Sequence, residues 1–360
     1  MSVTVKDVAR VAGVSTATVS RALRGFATVD PAIRAHVQQV AERLNYVASP
    51  AATALSTGRA GSIGVITPFV DRMAFQRMLA GIESAMRGTE MDLLLYCTGD
   101  PSDPHPVPPR KRLARRVDGF IVLSLALHSP DVEEISKLRM PVASFGEQGP
   151  WGSSVQVDDR AGAVVATQHL IELGHSRIGT IYGRASDDPA VLEFQRHLGF
   201  RDAMARAGLA IDAGLVVPGD FTIAGGARAM TRLLDADEPP TAVFAFSDEM
   251  AYGAIRVMRE RGLTPGRDIA IIGFDGHETS SLLDLSTISV PFEEIGATTA
   301  RKLMDEIEGI PAEASGVTVL PLELTVRSST RASDPGLEPR VSALGCEAWQ
   351  RPPATTPMSE

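Results

Sequence analysis

At 360 residues and 44% hydrophobic content, the chain is too long for one ordinary domain and too apolar for global disorder. Its net charge of −9 argues by itself against a nucleic-acid partner, but residues 1–59 carry seven Lys/Arg against three acids, so a basic head of +4 precedes a body of −13. Two cysteines, Cys97 and Cys346, with no Cys-x-x-Cys pair, exclude a disulfide framework and a thiolate metal centre.

Residues 4–24, TVKDVARVAGVSTATVSRALR, read as two short helices around a tight turn, a helix-turn-helix. Thr4 is the N-cap of the first helix and Asp7 its N3 residue, a shortened capping box, with Val8, Ala9, Val11 and Ala12 facing inward. Gly13 permits a left-handed turn, and Ser15 caps a second helix whose Val19, Ala22 and Leu23 face the core. Asp30-Pro31 opens a third helix as N-cap and N1; Ile33, Val37, Val40, Ala41 and Leu44 repeat at helical spacing until Asn45 ends it. Residues 49–58, with Ser as cap, Pro at N1 and Gly as terminator, predict a helix of about two turns that needs a partner to be stable in water.

From Ser62 the pattern changes to strand–helix alternation. Apolar runs at 63–66, 92–96, 119–123, 141–145, 178–182, 242–246 and 269–274 predict buried strands. Amphipathic stretches near 73–87, 159–173, 189–207, 224–235, 249–261 and 293–308 predict helices. Repeated βα units mean parallel sheet covered on both faces, and the span is long for one sheet, so two α/β subdomains are expected. Residues 331–360 hold five prolines and no periodicity and read as a disordered tail. The N-terminus turns amphipathic and charged at once, unlike a signal peptide, and the longest apolar stretch, Phe120–Leu127, is broken by Ser124 and too short for a bilayer. A soluble cytoplasmic protein is expected, with no membrane partner.

Several of these segments carry a resemblance. DVARVAGVSTATVSRAL, LNY at 44–46 and the small-residue stretch ending in Leu55 resemble the DNA-binding head and hinge of the LacI/GalR family of bacterial regulators. IGVITP (63–68), RVDGFIVL (116–123), HLIELGHSRIG (169–179), SDEMAYGAIRVMRERG (247–262) and DIAIIGFDG (268–276) resemble that family's sensor core. The resemblance implies an all-α helix-turn-helix head on a periplasmic-binding-protein type I core: two doubly wound parallel-sheet lobes, three chain crossings between them, a ligand in the cleft. The implied divisions are a head over 1–47, a hinge over 48–60, a core for effector binding and dimerisation over 61–330, and the tail.

The implied function is a ligand-responsive regulator that binds a pseudo-palindromic operator as a homodimer and is released by a small-molecule, carbohydrate-class inducer. The candidate DNA contacts are Thr4, Ser15, Thr16, Ala17, Thr18, Ser20, Arg21, Arg24, Thr28 and Leu55. Thr16, Ala17 and Arg21 occupy the base-reading positions of the second helix, and Arg21 can donate two hydrogen bonds to a guanine edge. Thr18, Ser20 and the backbone amides at the helix start suit phosphates; Arg24 and Thr28 join them through the family match. Leu55 has two readings, packing against the core or wedging into the minor groove; the family does the latter, with a central CG step favoured in operators. Thr53-Ala54 stands where many relatives carry a longer polar or basic residue.

Open α/β sheets bind ligands beyond the carboxyl ends of their strands, which selects Ser124, Glu147, Ser247, Asp248 and Asp275. The family match adds Arg196 as a ligand-gripping arginine, Asp275 as a hydroxyl acceptor, and Phe221 and Phe75 as aromatics facing the ligand. Each also has a plain structural reading: Asp275 as a turn cap, Arg196 paired with Glu193 or Asp202, the two phenylalanines as core. Ser247 and Gly276 stand where sugar-binding relatives usually have Asn and a second Asp or Asn. No GxSxG, HExxH, P-loop or post-strand GxGxxG occurs, so neither an enzyme nor a cofactor is expected. The rival reading is a solute-binding receptor of the same core fold.

Overall fold

The computed structural model describes residues 3–46, 58–98, 116–123, 129–146, 153–183, 192–310, 316–330 and 341–343. The expected hinge helix with Leu55, together with Ser124 and Glu147, lies outside them.

The head is three helices, α1 (Val5–Ala12), α2 (Thr16–Leu23) and α3 (Pro31–Arg43). The Asp7 carboxylate accepts from the Thr4 amide at 3.0 Å and its hydroxyl at 2.7 Å, so the reach-back half of the capping box is made. Gly13 takes φ +68° between α1 and α2, and Asp30 accepts from the Ala32 amide at 2.8 Å to start α3. Val8, Ala9, Ala12, Val19, Ala22, Val37, Val40 and Ala41 form the buried core. Two inward assignments are corrected. Val11 is 42% exposed, because at 100° per residue it falls off the stripe shared by Val8, Ala9 and Ala12. Ile33 is 40% exposed: it lies on the stripe, but in the first turn of α3, beyond the reach of two eight-residue partners.

The core has two sheets. One is built from β1 (Ser62–Thr67), β2 (Asp92–Cys97), β3 (Gly119–Leu123), β4 (Val142–Phe145), β5 (Ser153–Gln156) and β11 (Val317–Val319), in the order β11-β5-β4-β3-β1-β2, every pair parallel. The other contains β6 (Ile178–Tyr182), β7 (Val216–Pro218), β8 (Ala242–Ala245), β9 (Ala270–Asp275), β10 (Ser286–Ser289), β12 (Glu323–Thr325) and β13 (Val341–Ala343), in the order β13-β12-β10-β9-β8-β6-β7. Its last two strands run antiparallel, so the second lobe is a parallel sheet with an antiparallel edge. The tail therefore contributes a strand where disorder is expected: β13 pairs the edge of β12, a three-residue match too short to show alternation in the sequence.

Helices α4 (Met73–Met86), α5 (Ser129–Ser136) and α11 (Phe292–Glu308) belong to the first lobe. In the second lobe lie α6 (Asp159–Glu172), α7 (Leu192–Arg206), α8 (Ile223–Leu234), α9 (Asp248–Glu260) and the short α10 (Thr279–Leu282). The chain crosses between lobes after β5, after β10 and after β11, the three crossings that the resemblance implies. At the first lobe's margin the Asp118 carboxylate accepts from the Ala60 and Gly61 amides at 2.6 and 2.8 Å, and Arg59 donates to the Ile307 carbonyl near the C-terminus of α11 at 3.1 Å. A cation at that end is favoured by the helix dipole.

Candidate functional site

The head presents one polar face. Ser15 Oγ accepts from the Thr18 amide at 3.0 Å and lies 2.9 Å from the Thr18 hydroxyl, which starts α2 and ties both side chains to the cap. Val19 and Ala22 are buried beneath α2, so Thr16, Ala17 and Arg21 are exposed on its outer side, Ala17 and Arg21 one turn apart. Ser20 is half-buried and its carbonyl accepts from Arg24 Nε at 3.0 Å; Thr28 is exposed in the following loop. Thr4 is exposed with its hydroxyl donated to Asp7. Arg34 fixes that loop from α3 by donating to the carbonyls of Phe26 at 2.8 Å and Val29 at 3.4 Å.

Between the lobes is a cleft lined by Met73, Ala74 and Arg77 of α4 on one side, and by Asp248, Glu249, Asp275 and His277 on the other. Phe292, just past the second crossing, also lines it. Of the expected ligand residues among the described ones, Asp248 and Asp275 line it directly. Asp275 holds φ +122° at the end of β9, an unusual backbone for a non-glycine residue at a strand terminus. Its carboxylate is 3.5 Å from Arg196 Nη1. Arg196 is buried behind it, with Nε on Asp159 Oδ1 at 2.7 Å, Nη1 on the Phe246 carbonyl, and its guanidinium 3.8 Å from the centre of the Phe274 ring. Asp202, one of the two partners expected for Arg196, instead binds Arg160 at 2.6 Å.

The electrostatics follow from burial. Desolvation raises the Asp159 and Asp275 carboxyls, and Arg196 pulls both back; burial above all, with Asp248, Glu249 and Asp159 adding to it, keeps Asp275 well above the usual range. Asp248 is fully buried and pushed up to about 6, although the Ser280 and Thr287 hydroxyls and the His277 amide donate to it at 2.6, 2.7 and 2.8 Å. Burial also lifts Glu249 to about 6, against the pull of Arg72 from the first lobe. An acceptor-rich wall backed by one arginine suits a ligand bearing several hydroxyls.

The remaining candidates are placed differently. Ser247 is the N-cap of α9: it is 2% exposed and its Oγ accepts from the Met250 amide at 3.2 Å. Phe75 is half-buried on α4, one residue past the cleft-lining Ala74, with its ring 6.0 Å from Phe69. Phe221 is half-buried at φ +51° in the loop after β7 and packs against the core cluster. Asp159, Glu249 and His277 were not selected from the sequence. Asp158-Asp159 reads as a pair of helix-start acids; Asp158 does cap α6, accepting from the Ala161 amide at 2.8 Å, while Asp159 turns inward to Arg196.

A helix-turn-helix head with an exposed second helix, joined to a two-lobed core around a polar cleft, defines a ligand-responsive DNA-binding regulator. Comparison with known proteins agrees. Residues 4–49 match the family model of bacterial regulatory proteins, lacI family, and residues 167–330 match that of a periplasmic binding protein-like domain. The chain is 32% identical over 335 residues to catabolite control protein A of Priestia megaterium, covering 92% of this chain and all of that one. It is 34% identical over 334 residues to the HTH-type transcriptional repressor CytR of Escherichia coli, covering 91% and 96%. Among solved structures, the lac repressor dimer bound to operator and the anti-inducer ONPF superposes with a TM-score of 0.81 at 26% identity, covering 92% of this chain and 100% of that one. The regulator CelR in complex with cellobiose gives 0.65 at 31% identity, covering 91% and 99%. The chain belongs to the LacI family of bacterial regulatory proteins. Among the described residues no helix is long and apolar enough to cross a membrane.

Proposed function

We propose that the chain is a homodimeric repressor of a pseudo-palindromic operator, released when a carbohydrate-class effector occupies the cleft between its lobes. Thr16, Ala17 and Arg21 read base edges, while Thr4, Ser15, Thr18, Ser20, Arg24 and Thr28 position the head on phosphates. Leu55 wedges into the minor groove from the hinge. Arg196 and Asp275 form the effector-binding pair, with Phe75, Phe221, Ser124, Glu147 and Ser247 around it. The working units are the head (1–47), hinge (48–60), core (61–330) and tail (331–360). The activity is binding and release in the cytoplasm, without catalysis, as befits relatives that are transcriptional regulators.

The observation that carries this reading is the acceptor–donor pair at the cleft wall, the Asp275 carboxylate 3.5 Å from Arg196. A carboxylate beside a guanidinium offers an acceptor and a donor to adjacent hydroxyls. The cellobiose complex of CelR and the operator-bound lac repressor dimer support the effector class and the dimer.

The test uses the full chain and a duplex selected by it from a randomised pool. Anisotropy titrations with and without ribose, cellobiose and other sugars are expected to find one that lowers DNA affinity, and Asp275→Asn abolishes that response while leaving sugar-free DNA binding intact. A panel in which no sugar shifts either DNA affinity or the melting midpoint refutes the carbohydrate assignment. In the same titration Arg21→Ala is expected to lose about 1–3 kcal/mol of discrimination between the selected and a scrambled duplex.

A further inference from the structure

The C-terminus of α2 closes as a Schellman motif. The Gly25 amide donates to the Ala22 carbonyl at 3.1 Å and the Phe26 amide to the Arg21 carbonyl at 3.1 Å, with Gly25 at φ +74°. In this motif the residue at the Phe26 position normally packs its apolar side chain on the residue at the Arg21 position. Here that residue is a charged, exposed arginine, so the usual partner is missing and the Phe26 ring stays 48% exposed. The Arg24 guanidinium lies 4.9 Å from the ring centre, and Arg34 holds the Phe26 carbonyl from α3 at 2.8 Å. The helix end thus carries a half-exposed aromatic ring with Arg24 over it and its backbone held by Arg34, beside the face that presents Arg21.

We propose that Phe26 is a DNA-positioning residue, its ring lying on the deoxyribose of the strand that flanks the groove entered by α2. This rests on reading α2 as the recognition helix. The occupant follows from charge and shape. Arg21 and Arg24 repel another basic head and attract a polyanion. The apolar surface available on a duplex at the height of its phosphates is the sugar face, and the Arg24 guanidinium over the ring faces the adjacent phosphate. Because every nucleotide carries the same sugar, the contact adds affinity without reading sequence.

The test is anisotropy of the full chain on the selected duplex and on a scrambled one, over a range of salt. Phe26→Ala is expected to weaken both by the same factor, about five- to tenfold, and to leave the salt dependence unchanged, since no phosphate charge is lost. Phe26→Tyr restores wild-type affinity, and Arg24→Gln instead lowers the salt slope by about 0.9 for each head. Unchanged affinity of Phe26→Ala on both duplexes overturns the proposal, as does a loss confined to the selected duplex. If Arg21→Ala alters discrimination while Phe26→Ala alters nothing, only this inference falls; if neither variant has any effect, the recognition-helix reading falls with it. 4-Fluorophenylalanine at position 26 supplies a readout independent of folding losses. Its fluorine is expected to lose its H2O/D2O isotope shift on addition of duplex, and shielding that is already complete without DNA counts against the contact.

Discussion

Gly81 and Gly296 lock α4 to α11, each pressed against the other's helix backbone: a Cβ on Gly81 would run into the Glu293 carbonyl, and one on Gly296 into the Met78 carbonyl. α4 lines the cleft and α11 begins beside it, so this crossing sets one cleft wall. Alanine in a helix interior gains about 1 kcal/mol over glycine, but the obstacle here is backbone, which cannot rotate away. Gly81→Ala and Gly296→Ala are each expected to destabilise the core by about 1–2 kcal/mol net. Chemical denaturation measures this, and a variant as stable as wild type would show that the two helices simply move apart.

Arg196 holds the buried carboxylate of Asp159 at 2.7 Å and the half-buried one of Asp275 at 3.5 Å. Removing one partner of such a cluster strands the others, at a cost of about 3–5 kcal/mol. Arg196→Met is expected to lose that much, and adding Asp159→Asn to recover part of it. A double variant no better than the single one would mean that the cost comes from lost packing on Phe274 and not from uncompensated charge.

Stability should carry the mark of the buried acids. Asp248 and Glu249 titrate at about 6 in the native protein, above the value of about 4 that such groups have in an unfolded chain. Between those values the native state binds more protons than the unfolded one, so these groups stabilise most at the acid end of the window. The benefit drains away as pH climbs through about 6. The exposed acids Asp7, Asp235 and Asp268 are held low by hydrogen bonds from Thr4, Arg261 and Arg267 respectively, and act in the opposite sense at lower pH. Asp248→Asn removes one buried titration and keeps the exposed ones. The melting midpoint of wild type is expected to fall more steeply than that of Asp248→Asn from about pH 4.5 to about pH 6.5; parallel curves would refute the assignment.

Ser247 should behave as a helix cap. Ser247→Ala is expected to cost about 1 kcal/mol, read as a lower melting midpoint, while Ser247→Asn, whose side chain also caps, stays near wild type. Equal losses in both would instead point to a site too tight for any larger residue.

Much of this was legible in advance because local chemistry decided it. The capping box at Thr4–Asp7, the turn at Gly13 and the Asp30-Pro31 start of α3 are local hydrogen-bond choices visible in a few residues. The strands at 63–66, 119–123 and 269–274 announce themselves as apolar runs because both faces are covered. β5 (SSVQ) and β10 (STIS) do not: they are buried through hydroxyls that find partners far along the chain, Ser153 on Glu306 and Ser286 on Thr330. The cleft was half legible. Asp275 sits at the end of an apolar strand, where the rule for open sheets looks. Asp159 meets Arg196 only because α6 and α7 pack together, and no spacing in the sequence encodes that meeting.

The edge strand β11 completes the first sheet beside β5, although it comes from the far end of the chain. During synthesis the first lobe therefore cannot finish when its own first half leaves the ribosome. It waits with β5 unpaired on one side, and without α11, until residues 292–319 have been made. The second lobe runs unbroken from α6 to β10 and at that point lacks its edge strands β12 and β13, so its parallel part can consolidate earlier. A chain cut short before Val317 lacks an edge of both sheets, β11 in the first and β12 with β13 in the second, so the last stretch of sequence closes the two lobes together.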